Sequence, residues 1–286
     1  MSAPTFVFPP APQASIAVAG DTKSYPVRRI WCVGRNYLEH IREMGNDERA
    51  LPFFFAKHAD MIEPDGATIP YPPLTKDFHH EVELIVAMKS GGLNIPAARA
   101  NEHIYGYAVG IDLTRRDLQL ASRKKERPWE IGKSFDHSAP CGAMQPASKI
   151  GHPTKGKIWL SVNGTERQKG DLTELIWSVP EIIEKLSEQV SLGAGDIIMT
   201  GTPAGVAALS PGDKIECGID GIGTLKVSIG KPELSPGHHR INNGPKKITA
   251  PDLVRGHFRS GTFVELPVSG FRRPGALNPA PSPAGP

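Results

Sequence analysis

HHEVELIVAM, residues 79–88, carries two acids one residue apart at the head of an apolar run. In an extended strand the side chains alternate between two faces. One face takes His79, Glu81, Glu83, Ile85 and Ala87, and the other takes His80, Val82, Leu84, Val86 and Met88. The second face is apolar after its first residue and is expected to look into a core. The first begins polar and turns apolar, which puts both carboxylates at the wet end of a partly buried strand. Two like charges on one face repel each other, so they need water around them or a cation between them. Taken alone, the stretch leaves a solvated strand end and a cation site both open.

The surrounding chain repeats short β-branched or aromatic runs bounded by Gly, Pro, Asn or Asp. RRIWCVG (28–34), PFFFAKH (52–58), IYGYAVGIDLT (104–114), GKIWLSVNG (156–164), GDIIMTGTP (195–203) and GTLKVSIG (223–230) are predicted strands. NYLEHIREMG (36–45) is a predicted short helix closed by Gly45. TRRDLQLASRKKER (114–127) and SVPEIIEKLSEQV (178–190) are predicted helices, the latter with Ser178 as cap and Pro180 in its first turn. Helices do not alternate regularly with strands, which excludes a doubly wound parallel sheet. The expected class is α+β, mostly β, with peripheral helices and no internal repeat.

A third acid bears on the question raised by the first two. Asp112 closes the apolar run YGYAVGID, where a central strand has no use for a charge. Three carboxylates at neighbouring strand ends make an all-oxygen site that suits a hard cation, Mg2+ or Mn2+. His79 and His80 keep zinc open as the lesser alternative. His40 and Glu43 are spaced i, i+3 on the predicted helix, so their side chains can meet on one face. A carboxylate beside an imidazole fixes its tautomer and raises its basicity, as a general base requires. Other familiar chemistries are absent. GHPTKGKI (151–158) has Ile158 where a phosphate-binding loop needs Ser or Thr, and no GxGxxG, GxSxG or HExxH occurs.

Composition narrows the class further. The chain has 286 residues, 39% of them hydrophobic and 22% charged, as in an ordinary globular protein. Its net charge of +3 belongs to the C-terminal stretch: residues 231–286 hold eight Lys/Arg against three Asp/Glu, while residues 1–230 hold 25 against 27. Nothing in the main body therefore points to a nucleic-acid surface. No apolar run approaches the ~20 residues of a membrane helix, and no signal peptide is legible. Three widely spaced cysteines give no disulfide framework, which points to a reducing cytoplasm. The expected division is an N-terminal extension (1–24), a catalytic domain (25–230) and a basic tail (231–286). That tail holds ten prolines and seven glycines and is expected to be disordered.

VGRNYLEHIREM, HHEVEL, GIDLTRRDLQ, GKSFD and TGTPAGV occur in this order. Together they resemble the fumarylacetoacetate hydrolase family over residues 25–230. DFHHEVEL, TRRDLQ, SAPCG and IWSVPEII are most similar to the branch that hydrolyses fumarylpyruvate in gentisate breakdown. Acylpyruvate hydrolases that also decarboxylate oxaloacetate are the other near relatives. The resemblance implies a mixed β-roll, usually a homodimer, with one Mg2+ or Mn2+ held by Glu81, Glu83 and Asp112. It places His40 and Glu43 on a lid helix and makes Lys133 the positive partner of a developing oxyanion. Arg116 and Gln119 would face the substrate, and Gly201 with Thr202 would hold a pyruvate carboxylate.

The implied reaction is hydrolytic carbon–carbon cleavage of a small 2,4-diketo acid, fumarylpyruvate giving fumarate and pyruvate. Oxaloacetate decarboxylation on the same metal is the alternative within enzymes. A non-catalytic β-rich module with a structural cation is the alternative outside them. Two positions depart from the family pattern: His58 replaces a usual proline, and Ala207 a usual glycine near Thr202.

Overall fold

The computed structural model describes residues 5–37 and 49–233. Residues 38–45 of the predicted helix, with His40 and Glu43, and the tail from residue 234 onward lie outside the described residues.

Two sheets build the core. In chain order their strands are β1 (Arg29–Gly34), β2 (Phe53–Lys57), β3 (Thr68–Ile69), β4 (Val82–Met88), β5 (Ile104–Ile111), β6 (Gln145–Pro146), β7 (Lys157–Val162), β8 (Thr165–Asp171), β9 (Asp196–Met199), β10 (Lys214–Ile219) and β11 (Gly223–Ile229). The six-stranded sheet runs β6-β5-β4-β9-β1-β2, and the five-stranded sheet runs β8-β7-β10-β11-β3. Pairing is antiparallel except for β9 with β1 and β11 with β3. Helices α1 (Arg116–Lys124), α2 (Glu130–Lys133), α3 (Ala147–Ile150) and α4 (Val179–Ser187) lie among these strands in the sequence. The molecule is mostly β and mixed, as the sequence implies.

The alternation read from HHEVELIVAM sorts its apolar residues correctly. Val82, Leu84, Val86 and Met88 enter the larger core, which also takes Leu160, Ile215, Leu225 and Val227 from the second sheet. Ile85 and Ala87 enter a second core on the other face, with Ile16, Cys32, Met144 and Ile197. A strand buried on both faces is strongly held, since each fully buried Val, Leu, Ile or Met contributes about 1.5–3 kcal/mol. The second core is why the expected wet strand end is corrected below.

Local signals explain α4. Ser178 donates from both its N–H (2.9 Å) and its hydroxyl (2.8 Å) to the Glu181 carboxylate, closing the first turn, and Pro180 sits where a missing N–H costs nothing. Three features differ from the sequence expectation. The run 79–88 is not one strand: Phe78–His79 pairs with Thr114–Arg115, and His80 and Glu81 interrupt the strand before β4 begins. β8 and β10 were not anticipated, because TERQKGD and KIECGI mix polar residues without clean alternation. All three cysteines are free and buried, in line with a chain that needs no disulfide.

Candidate active site

The three acids converge. Asp112 follows the last residue of β5 and its N–H donates to the Glu81 carbonyl at 2.8 Å, one step beyond the Val82–Ile111 pair of the β4–β5 ladder. Glu81, Glu83 and Asp112 are therefore neighbours across a single hydrogen-bonded seam. One carboxylate oxygen of each lies within 4.8 Å of the others. They line a cavity of about 280 Å³ with Arg116, Gln119, Lys133, Gly201 and Thr202.

The acids do not sit at a wet strand end, as the alternation had suggested. Glu81 is 6% exposed, Glu83 2% and Asp112 1%. Cations rather than water surround Glu81 and Asp112. Lys133 Nζ lies 2.7 Å from Glu81 Oε2, 2.6 Å from Asp112 Oδ2 and 2.8 Å from Thr114 Oγ1. Arg116 pairs with Glu81 through Nη2 and donates from Nη1 to Gln119 Oε1 at 2.5 Å. Because that amide oxygen is taken by a pure donor, the Gln119 NH2 is left to serve as a donor itself. Lys57, whose side chain is wholly buried on β2, lies 2.9 Å from Asp112 Oδ1 and donates to Ser138 Oγ at 3.0 Å and to the Lys133 carbonyl. Two carboxylates, Glu81 and Asp112, thus meet three cations on the cavity floor.

The consequences for charge differ between the two glutamates. Burial alone would raise the Glu81 carboxyl, but Lys133 and Arg116 bring it down to about 2. Glu83 lacks such partners. Burial pushes its carboxyl well above the usual carboxylate range, and the Asp112 and Glu81 charges push it further. Its one described donor is the Gly201 N–H, at 2.8 Å from Oε2. Lys133 is raised although burial opposes it, because Asp112 and Glu81 favour the ammonium.

These acids fit a divalent ion on grounds internal to the site. Asp112 Oδ1 is buried and, despite its proximity to Lys57, has no hydrogen-bond donor in proper alignment. Glu83 carries a carboxyl that a cation would relieve. Neither histidine joins the acid cluster: His79 Nε2 faces Asp77 Oδ1 at 2.7 Å and His80 Nδ1 faces Gln168 Oε1 at 2.8 Å, while His79 Nδ1 and His80 Nε2 are buried without a hydrogen-bond partner. What remains is an all-oxygen donor set, which suits magnesium or manganese rather than zinc.

Two glycines shape the walls. Gly201, at φ +100°, lies where an added Cβ would come within 2.8 Å of Asn36 Cβ. That close approach lets the buried Asn36 amide bond the carbonyls of Thr200 and Trp177, each at 2.9 Å. Gly132 lets α2 press onto α1, since a Cβ there would meet Gln119 N at 2.7 Å, and so carries Lys133 onto the floor. The Gly201 N–H is engaged by Glu83, so Gly201 orients the Glu83 carboxyl in this arrangement, while Thr202 lines the cavity. Ala207 is not among the residues with positive φ, so its place in the turn does not demand glycine. Lys57, Asn36 and Gln168 belong to the site without having been picked out from the sequence.

Residues 29–229 match the family model described as fumarylacetoacetate (FAA) hydrolase, C-terminal. The chain belongs to the fumarylacetoacetate hydrolase family. Among relatives, the mitochondrial oxaloacetate tautomerase FAHD1 of Homo sapiens is 42% identical over 217 residues, covering 73% of this chain and 98% of that one. A fumarylpyruvate hydrolase of Ralstonia sp is 42% identical over 181 residues, covering 63% and 94%. The crystal structure of a fumarylpyruvate hydrolase from Pseudomonas aeruginosa in complex with Mn2+ and pyruvate is 47% identical, with a TM-score of 0.78, covering 79% of this chain and all of the other. The chain thus combines the fold of that manganese-bound hydrolase with an acidic triad able to hold a divalent ion. No helix among the described residues is long and apolar enough to cross a membrane.

Proposed function

We propose that this protein hydrolyses a carbon–carbon bond in a 2,4-diketo acid, with fumarylpyruvate giving fumarate and pyruvate. The observation that carries the reading is the buried Glu81–Glu83–Asp112 cluster faced by Lys133, Arg116 and Thr202 in one cavity. A merely structural cation gains nothing from lysine and arginine placed beside it. Similarity to the manganese- and pyruvate-bound hydrolase supports the substrate class.

Glu81, Glu83 and Asp112 would hold magnesium or manganese. Bound there, the ion supplies Lewis-acid polarisation of the 2-keto and carboxylate oxygens. The chain's own residues do the rest. Thr202 donates its hydroxyl to the carboxylate of the pyruvoyl end, and Gln119 offers its NH2 across the cavity. His40, oriented by Glu43, takes a proton from the water that attacks the distant carbonyl. Lys133 supplies positive charge that stabilises the enolate as the bond breaks, a role in which losing one such group costs about a hundred- to a thousandfold in rate, and the proton taken up by His40 passes to the enolate carbon to give pyruvate. Arg35 and Arg123, which line the same cavity, suit the second carboxylate of a dianionic tail.

A panel of fumarylpyruvate, acetylpyruvate and oxaloacetate, assayed with Mg2+ or Mn2+ and then with chelator, tests the reading. Metal-dependent release of pyruvate from fumarylpyruvate is expected. Undiminished turnover with chelator, or no diketo acid cleaved, overturns it. Oxaloacetate chemistry on the same floor is the second reading, favoured by 42% identity to the human tautomerase. It needs no activated water, so only hydrolysis should fall in His40→Ala. The proposal extends to a catalytic domain spanning 25–230, flanked by extensions 1–24 and 231–286, working as a cytoplasmic homodimer.

A further inference from the structure

Gln168 lies on β8, in a run (TERQKGD) whose composition suggests a solvent-facing strand, yet it is wholly buried. All four of its described bonds are made. Oε1 accepts from Val82 N–H at 3.1 Å and from His80 Nδ1 at 2.8 Å. Nε2 donates to the Pro203 carbonyl at 2.9 Å and to Thr202 Oγ1 at 2.8 Å.

Two of those partners can play one role only. A backbone N–H donates and a backbone carbonyl accepts, so the amide has one permitted orientation: oxygen toward Val82, nitrogen toward Pro203. His80 must then donate from Nδ1. The bond between Gln168 and Thr202 must also run from Gln168 to Thr202. A threonine hydroxyl holds one proton, and here one of its lone pairs is occupied. Among the described residues no protein acceptor takes that proton, and Thr202 lines the cavity beside the three acids.

We propose that Gln168 is a positioning residue that fixes the Thr202 hydroxyl as an obligate donor toward the cavity. The wall at Thr202 then selects a ligand presenting an acceptor, a carboxylate oxygen above all, and rejects one presenting an amide N–H. The inference rests on the reading that the cavity takes the carboxylate end of a keto acid, and it adds the residue that sets the direction of that hydrogen bond.

The test compares pyruvate with its amide, pyruvamide, by calorimetry on the Mn2+-loaded full chain, so that it does not depend on turnover. Gln168→Glu keeps the shape but replaces the NH2 with an acceptor, which draws the Thr202 proton back into the wall. Preference for pyruvate over pyruvamide is expected to fall about tenfold or more, since a bond to a charged group is lost. In a Thr202→Val background the same Gln168 substitution should change the preference no further. Thr202→Ser, which keeps a hydroxyl, should retain the wild-type preference. If Gln168→Glu does not fold, Gln168→Met takes its place, with the same expected direction. An unchanged preference, or an equal loss with and without the Thr202 hydroxyl, overturns the proposal. Pyruvate selectivity that depends on Gln168 in a protein cleaving no diketo acid would leave this inference standing and remove the proposed reaction. Diketo-acid hydrolysis with no such dependence would do the reverse.

Discussion

Replacing Lys133 with methionine should have opposite effects on two quantities that usually move together. The ammonium touches Glu81 and Asp112 at 2.7 and 2.6 Å, and its side chain is 3% exposed. With Lys57 and Arg116 it compensates Glu81 and Asp112, and methionine fills the space without the charge. Unit charges 4 Å apart exchange about 4 kcal/mol in surroundings of intermediate polarity. Removing one partner of a buried pair costs about 3–5 kcal/mol, because the other charge is left uncompensated. For a domain of this size that corresponds to a melting temperature about 6–20 °C lower in metal-free protein. A divalent ion meets one fewer like charge in the variant, so its affinity should rise about tenfold or more, while hydrolysis falls about a hundred- to a thousandfold. Calorimetric titration with Mn2+, thermal melts with and without the ion, and steady-state turnover give the three numbers. Weaker ion binding together with unchanged metal-free stability would refute the reasoning, since Lys133 would then not be compensating the acids.

Other perturbations probe the same structure. Because burial raises the Glu83 carboxyl, with Asp112 and Glu81 adding to it, ion binding must expel a proton. Affinity should climb up to about tenfold per pH unit while Glu83 titrates, and Glu83→Gln should flatten that slope in titrations run at several pH values. In metal-free protein the two glutamates act with opposite sign. The stabilisation from Glu83, protonated in the fold, is present at acid pH and lost as pH rises through its raised value. That from Glu81 is present above about 4.5 and lost as pH falls toward about 2, so melts across pH should show both flanks. Asp196, wholly buried, takes Arg29 Nη2 at 2.7 Å and Gly193 N–H at 2.9 Å, so Asp196→Ala should cost about 1–3 kcal/mol in denaturant unfolding. Truncation after Gly230 should leave Mn2+ affinity and turnover intact, as the same assays will report.

Much of this architecture was legible because burial leaves a compositional trace. The β-branched runs at 29–34, 104–111 and 223–229 are strands because nothing else packs them so well, and Asp112 stood out as a charge ending an apolar run. The break at His80 and Glu81 left no such trace, since the alternation of side chains continues across it. Lys57 and Gln168 were hidden for a related reason. A lysine closing FFFAK and a glutamine inside TERQKGD look solvated, and only the tertiary fold supplies the carbonyls, amides and carboxylates that pay for their burial. The acids looked wet because a sequence does not show which cations will be brought beside them.

All three acids hang on β4 and its junction with β5, in the middle of a sheet buried on both sides, whereas the groups that would meet the tail of a substrate come from the segments around Arg35, Leu120–Trp129 and Thr202–Val206. The anchoring of the ion and the choice of substrate are therefore mechanically separate. Exchanging residues on those rims can retune which keto acid is accepted, or which bond is broken, while the ion's seat is inherited unchanged from the register of the two central strands.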